Sequence, residues 1–167
     1  HKRAYDNDKG PNTGGMGAFS PSPIFNKELE DKTLRKIIKP TLKHLKKNNN
    51  KFTGILYAGL IIKNGEPKLI EYNVRFGDPE CQVILMRIGA QILDLFLDCA
   101  NNNLENSKVN WIDNFAINVV MASKGYPSNY QNGSLISNLE SLKEYNDIEV
   151  FHAGTKNENG KIFATAG

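Results

Sequence analysis

Two β-rich runs, GILYAGLIIK and PKLIEYNVRF, are separated only by Asn64, Gly65 and Glu66. An Asn-Gly step tolerates the left-handed backbone of a tight turn, so the stretch predicts two antiparallel strands joined as a hairpin. The second run then places Glu71, Asn73 and Arg75 at alternating positions, between Ile70, Tyr72 and Val74. Successive side chains on a strand point to opposite sides. The spacing therefore predicts a core face of Ile70, Tyr72 and Val74 and a polar face of Glu71, Asn73 and Arg75.

A carboxylate and an amide carbonyl two residues apart on one face offer two hard oxygen ligands. Mg²⁺ suits such a pair, with phosphate oxygens and water completing its shell. Arg75 on the same face has a planar fork that can hold a phosphate or carboxylate. Polar-out alternation is also common on half-buried sheets, so a plain exposed face with a surface ion pair stays open. The loop PNTGGMG, with Gly14, Gly15 and Gly17, can bring backbone N–H groups close to an anion, and Asn12 and Thr13 add side-chain donors. Its plain alternative is a surface turn. In FGDPE, Asp78 precedes a proline, and Glu80 is expected at the start of a helix, with Asp78 as a candidate N-cap.

The remaining chain reads as ordinary globular protein. It has 167 residues, 40% hydrophobic and 23% charged, and a net charge of +3, which excludes disorder and does not demand nucleic acid. Cys81 and Cys99 lack metal or disulfide spacing and point weakly to a reducing compartment. No apolar run reaches membrane-spanning length. Residues 10–23 are expected to be loop. A helix is expected over 26–48, kinked or divided at Pro40, with Leu34, Ile37, Ile38, Leu42 and Leu45 on one face and its lysines in solvent. Two helices are expected over 80–103, broken at Gly89. From Phe115 onward the texture predicts strands in NFAINVVMAS, SLISNL and IEVFHAGT, and a hairpin at NENGK. The chain opens on His1 and closes on Gly167 in mid-pattern, so a piece cut from a longer protein is expected.

HKR, GPNTGGMGAFSP, TGILYAGL, IEYNVRFGDPECQ, VVMASKGYP and VFHAGT follow one another in the order of the phosphoribosylamine–glycine ligase family, and the chain resembles that family along nearly its whole length. EYNVRFGDPE and PNTGGMG are its most specific motifs. The resemblance implies an α+β fold: the back half of an ATP-grasp domain, an antiparallel sheet with helices, over 1–107, then a small β-rich C-terminal domain over 108–167. It implies a cytoplasmic ligase of purine biosynthesis that joins glycine to 5-phosphoribosylamine at the expense of ATP, through a glycyl phosphate. Glu71 and Asn73 match the family's Mg²⁺ (or Mn²⁺) ligands, and Arg75 would steady the acyl phosphate. Asn12, Thr13, Gly14, Gly15, Met16 and Gly17 match the wall that receives glycine and the sugar phosphate. Asp78 and Glu80 would lie near the substrate amines, orienting them or accepting their protons. Lys2 and Arg3 are candidates for phosphate contact, or simply a solvated basic end. The expected partners are ATP, glycine, 5-phosphoribosylamine and the N-terminal part of the same enzyme, with neither nucleic acid nor membrane.

Two other readings compete. Another ATP-grasp ligase would share the Glu-x-Asn pair, but the RFGDPE extension and PNTGGMG argue against it. A nucleic-acid-binding module would need a basic stripe interleaved with aromatics, whereas the lysines cluster on one helix. His44 is expected in solvent, His152 in a structural role in the C-terminal strands, and Trp111 as a packing anchor.

Overall fold

The computed structural model describes residues 1–166; Gly167, where the sequence suggests a cut, lies outside them. In chain order the first elements are β1 (Arg3–Tyr5), β2 (Lys9–Asn12), β3 (Gly17–Ser20), α1 (Lys27–Thr33), α2 (Lys39–Lys47), β4 (Tyr57–Lys63) and β5 (Glu66–Asn73). There follow α3 (Glu80–Ile88), α4 (Ile92–Ala100), β6 (Ala116–Val119), β7 (Leu135–Ile136), β8 (Thr155–Glu158) and β9 (Lys161–Ala164). The mixture of helices and antiparallel sheets is α+β. The described residues divide into two compact units, one of residues 18–118 and one of residues 1–17 with 119–166.

In the first unit the expected hairpin forms. β4 and β5 are antiparallel, and Lys63 faces Glu66 across the turn. Asn64 (φ 53°) and Gly65 (φ 71°) both take the left-handed backbone, as a two-residue turn matched to strand twist requires. Helix α1 opens on Asn26, whose side chain accepts from the Leu29 N–H at 3.0 Å. Pro40 then acts as expected, but over a whole turn. Residues 34–38 widen into a π-helical turn, with the Lys39 N–H donating to the Leu34 carbonyl five residues back, before α2 resumes with Pro40 in its first turn. The Ile37 carbonyl accepts from Thr41 Oγ1 (2.9 Å) and Tyr72 Oη (3.3 Å), which ties the widened turn to β5.

Two lysines expected in solvent are instead used for docking. Lys32 and Lys36 both pair with Glu66, and Lys32 also donates to the Gly65 carbonyl at 3.2 Å. The helix thereby grips the hairpin at its turn. Further on, Gly89 (φ 66°) ends α3, a short 3₁₀ turn follows, and α4 begins at Ile92. Val83 of α3 packs against Ala18 of β3 and Ala116 of β6, where two small side chains admit a β-branched one.

Two expectations fail. Residues 10–23 are not all loop, because Asn7 (φ 58°) and Asp8 (φ 57°) turn the chain back so that β2 pairs with β1, and β3 pairs with β6. IEVFHAGT is not a strand before Thr155. The β-prone residues Ile148 and Phe151 are 44% and 51% exposed, and apolar composition does not make a strand without burial or a neighbour. The NENGK hairpin forms as β8–β9, with β7 on the other side of β9.

Gly65→Ala should lower stability by about 1 kcal/mol, the cost of one left-handed non-glycine residue, measured by urea unfolding. The flanking ammonium groups of Lys36 and Lys32 hold the Glu66 carboxyl below its ordinary value of 4.5. A depressed pKa contributes stability above the unfolded value that is lost as pH falls through the folded one. Thermal midpoints should therefore fall more steeply below pH 4.5 in the wild type than in Glu66→Gln.

Candidate functional site

The site-bearing face is set by the register of β4 on β5. Leu60 faces Leu69, but Gly59 faces Glu71, so Ile70 is an extra, bulged residue. Residues directly opposite each other share a face. Glu71 therefore lies with Gly59, and Asn73 with Tyr57. A Cβ on Gly59 would sit 3.2 Å from Glu71 Cγ, so the glycine leaves the space in which the Glu71 side chain crosses β4. On the opposite face Tyr72 turns towards the helices, with its hydroxyl 2.9 Å from Thr41 Oγ1.

This corrects the simple alternation. Tyr72 behaves as expected, but Ile70 is 66% and Val74 75% exposed, so neither belongs to a core face. The bulge takes Ile70 out of the pattern, and β5 ends at Asn73 before Val74 can continue it. For the same reason Arg75 is not a third residue of the strand face. It lies in the bend beyond β5, exposed, and donates from Nη1 to the Phe76 carbonyl at 2.6 Å. Its charge still reaches the cluster, since it acts to lower the Tyr57 pKa.

Glu80 joins this face from the first position of α3, where a carboxylate is favoured by the helix dipole. Tyr57 Oη donates to Glu80 Oε1 at 3.1 Å. The Tyr57 hydroxyl is pushed up to about 12, chiefly by burial, then by the charge and hydrogen bond of Glu80 and the charge of Glu71. It is thus a donor throughout the physiological range. Asp78 is exposed and does not cap α3; Pro79 holds the cap position without a side-chain bond. Burial, and then the Asp78 charge, push the Cys81 thiol above its ordinary value.

Glu71 and Asn73 contribute a carboxylate and an amide oxygen to one face. Among the described residues no three His, Cys, Asp or Glu side chains gather as a metal cage. The donor chemistry fits a hard divalent cation that takes its remaining ligands from phosphate and water, as Mg²⁺ does. An apolar hollow of about 320 Å³ in the same unit is lined by Thr53, Gly54, Ile55, Phe96, Cys99 and Ala100, none of them a residue of this cluster.

The glycine loop belongs to the other unit. There the Thr13 N–H (2.7 Å) and Oγ1 (2.9 Å) both donate to the Lys2 carbonyl, and Thr13 Oγ1 accepts from the Gly15 N–H at 3.1 Å. The Met16 N–H donates to the His1 carbonyl at 2.7 Å, and the Met16 carbonyl accepts from Val120 at 3.1 Å. Three loop N–H groups and the threonine hydroxyl are thus used to hold the loop's shape. The Gly17 carbonyl accepts from the terminal amine of His1 at 3.1 Å, so the Asn12 side chain and the Gly14 backbone are the loop groups outside these bonds. A Cβ on Gly14 would lie 4.0 Å from the Tyr126 hydroxyl. Arg3 bridges its own hairpin, donating from Nη1 to the Gly10 carbonyl at 2.8 Å, and the Lys2 backbone anchors the loop.

His44 is exposed, against Asn48 at 2.9 Å. His152 is exposed too, and sits before β8 rather than in a strand. Trp111 carries the Arg87 guanidinium 5.1 Å from its ring centroid, a cation–π contact that anchors the segment after α4. The sequence reading missed Tyr57, Gly59 and Gly77. A glycine within a strand pattern is a signal of close approach that could have found Gly59. Cys81 should be alkylated by iodoacetamide at pH 8 more slowly than a model peptide thiol, because less of it is thiolate.

Residues 1–81 match the family described as phosphoribosylglycinamide synthetase, ATP-grasp (A) domain, and residues 116–167 match the C domain of the same synthetase. The chain is 46% identical over 167 residues to the phosphoribosylamine–glycine ligase of Brucella melitensis, all of this chain and 39% of that protein. It is 49% identical over 171 residues to the ligase of Vigna unguiculata, covering all of this chain and 55% of that one. The crystal structure of the Thermotoga maritima ligase superposes with a TM-score of 0.84 at 32% identity, over 99% of this chain and 40% of that one. The chain therefore spans about two-fifths to just over half the length of these relatives.

Proposed function

Because the chain belongs to the phosphoribosylglycinamide synthetase family, we propose that it is the part of a phosphoribosylamine–glycine ligase that carries the metal-binding strand and the glycine loop. The reaction joins glycine to 5-phosphoribosylamine and converts ATP to ADP and phosphate. In the first step the γ-phosphoryl group passes to the glycine carboxylate, giving glycyl phosphate and ADP. In the second, the amine attacks the acyl carbon, the bond to phosphate breaks, the nitrogen releases a proton to solvent or to a carboxylate of the site, and the amide of glycinamide ribonucleotide remains. The observation that carries this reading is the shared face on which Glu71 and Asn73 stand together, with Glu80 brought over it from α3.

Glu71 and Asn73 are the residues that would hold Mg²⁺ or Mn²⁺. Bound there, the cation would neutralise charge on the transferring phosphoryl group. Arg75, exposed at the end of β5, is proposed to stabilise the negative charge of the acyl phosphate without moving a proton. Asp78 and Glu80 are assigned to orienting the substrate amines or accepting the proton they release. Asn12 to Gly17 are assigned to receiving glycine and the sugar phosphate, with Lys2 and Arg3 adding positive charge beside them. The same proposal assigns residues 1–107 to the ATP-grasp domain and 108–167 to the C-terminal domain. Support comes from the matched segments, which end at 81 and begin at 116. A cytoplasmic location goes with it, supported by two unpaired cysteines. No helix among the described residues is long and apolar enough to cross a membrane.

The remaining part of the full-length enzyme is proposed to supply the rest of the ATP clamp. Phe115 and Ile117 of the larger unit, 88% and 75% exposed, offer it apolar surface. The 167 residues alone should therefore release no ADP in response to glycine, and turnover by them would overturn this. In the full-length protein, ADP release should require glycine, phosphoribosylamine and Mg²⁺ together. Glu71→Gln should lower it at least about 100-fold, since even outer-shell partners of a metal cost 10–100-fold.

A further inference from the structure

We infer that Tyr57 and Gly77 form a seat for Glu80, with Tyr57 a positioning residue that aims the Glu80 carboxylate across the Glu71–Asn73 face. The inference rests on the ligase reading and assigns a role to two residues outside the strand motif.

The geometry is specific. Glu80 occupies the first position of α3, where a glutamate side chain ordinarily extends into water over several rotamers. Here it folds back. One carboxylate oxygen, Oε1, accepts from the Tyr57 hydroxyl at 3.1 Å. The other, Oε2, lies over the α-carbon of Gly77, so close that a Cβ there would be 2.4 Å from it. The same Cβ would be 2.7 Å from Tyr57 Cε2. Gly77 is buried, and the missing side chain is the space that ring and carboxylate share.

Tyr57 is itself fixed. It is paired with Asn73 across the β4–β5 ladder, so its ring stands on the face that carries the two oxygen ligands. Its bond to Glu80 therefore ties the start of α3 to the start of β4, directly across the ladder from Asn73. A carboxylate ordered in this way keeps its orientation when a substrate amine arrives, and the ordering cost has already been met by the fold. A tyrosine whose role was packing alone would need its ring and not its hydroxyl.

The test is a double-mutant cycle in the full-length protein: wild type, Tyr57→Phe, Glu80→Ala and the double variant, with Gly77→Ala alongside. The readouts are kcat and KM for phosphoribosylamine, glycine and ATP. Tyr57→Phe should lower kcat/KM for phosphoribosylamine about tenfold, the loss expected for one hydrogen bond to a charged group, and leave KM for ATP unchanged. In the Glu80→Ala background the same change should have no further effect, and Gly77→Ala should reproduce the phosphoribosylamine defect by displacing the carboxylate. Equal losses from Tyr57→Phe in both backgrounds, or wild-type behaviour of Tyr57→Phe, would overturn the inference while leaving the ligase reading intact. If the wild-type protein shows no turnover dependent on glycine and phosphoribosylamine, the ligase reading falls and this inference falls with it.

Discussion

The pairing of Gly59 with Glu71 is the contact on which the polar face depends. A one-residue slip in an antiparallel pair reverses every side chain it carries. The hairpin turn sets the register up to Leu60 and Leu69, and the bulge at Ile70 then changes it by one residue before Glu71. As a result Glu71 and Asn73 stand with Gly59 and Tyr57, while Tyr72 stands opposite, against the helices. A side chain at position 59 would bring its Cβ to 3.2 Å from Glu71 Cγ, and the glutamate would have to give way by a few tenths of an ångström.

The two faces of β5 have different duties, and each helps the other. Tyr72 joins the strand to the helix around Pro40, donating to the Ile37 carbonyl and lying 2.9 Å from the Thr41 hydroxyl. Lys32 and Lys36 hold the hairpin at its other end through Glu66. These contacts keep the strand still on its helix side, as the metal-ligand role proposed for Glu71 and Asn73 on the other side would require. Ligand geometry is held better on a strand fixed at several points than on a loop.

Three charges meet at the Tyr57 hydroxyl. Glu71 and Glu80 both act on the Tyr57 hydroxyl, and among the charges acting on it only Arg75 opposes them. The glycine loop is built on a different principle. Its backbone is held by carbonyls of residues 1 and 2 and by Val120, so its shape comes from main-chain bonds.

The sequence by itself determined the hairpin at Asn64-Gly65, the helix break at Gly89, the division of the lysine-rich helix at Pro40 and the start of α3 at Glu80. Each depends on a local rule: a positive φ, a missing N–H, a residue that follows Asp-Pro. It also determined that Glu71 and Asn73 share a face, since two residues on one strand cannot do otherwise without a break between them. Only the tertiary structure decided the rest. The bulge at Ile70 depends on which residue of β4 stands opposite, and the exposure of Ile70 and Val74 on where the strand ends. The β1–β2 hairpin, and the absence of a strand over 148–154, depend on whether a partner is present to share the backbone hydrogen bonds. The seat of Glu80 joins Tyr57, Gly77 and Glu80, which are up to 23 positions apart, and such proximity arises only when strand and helix have packed.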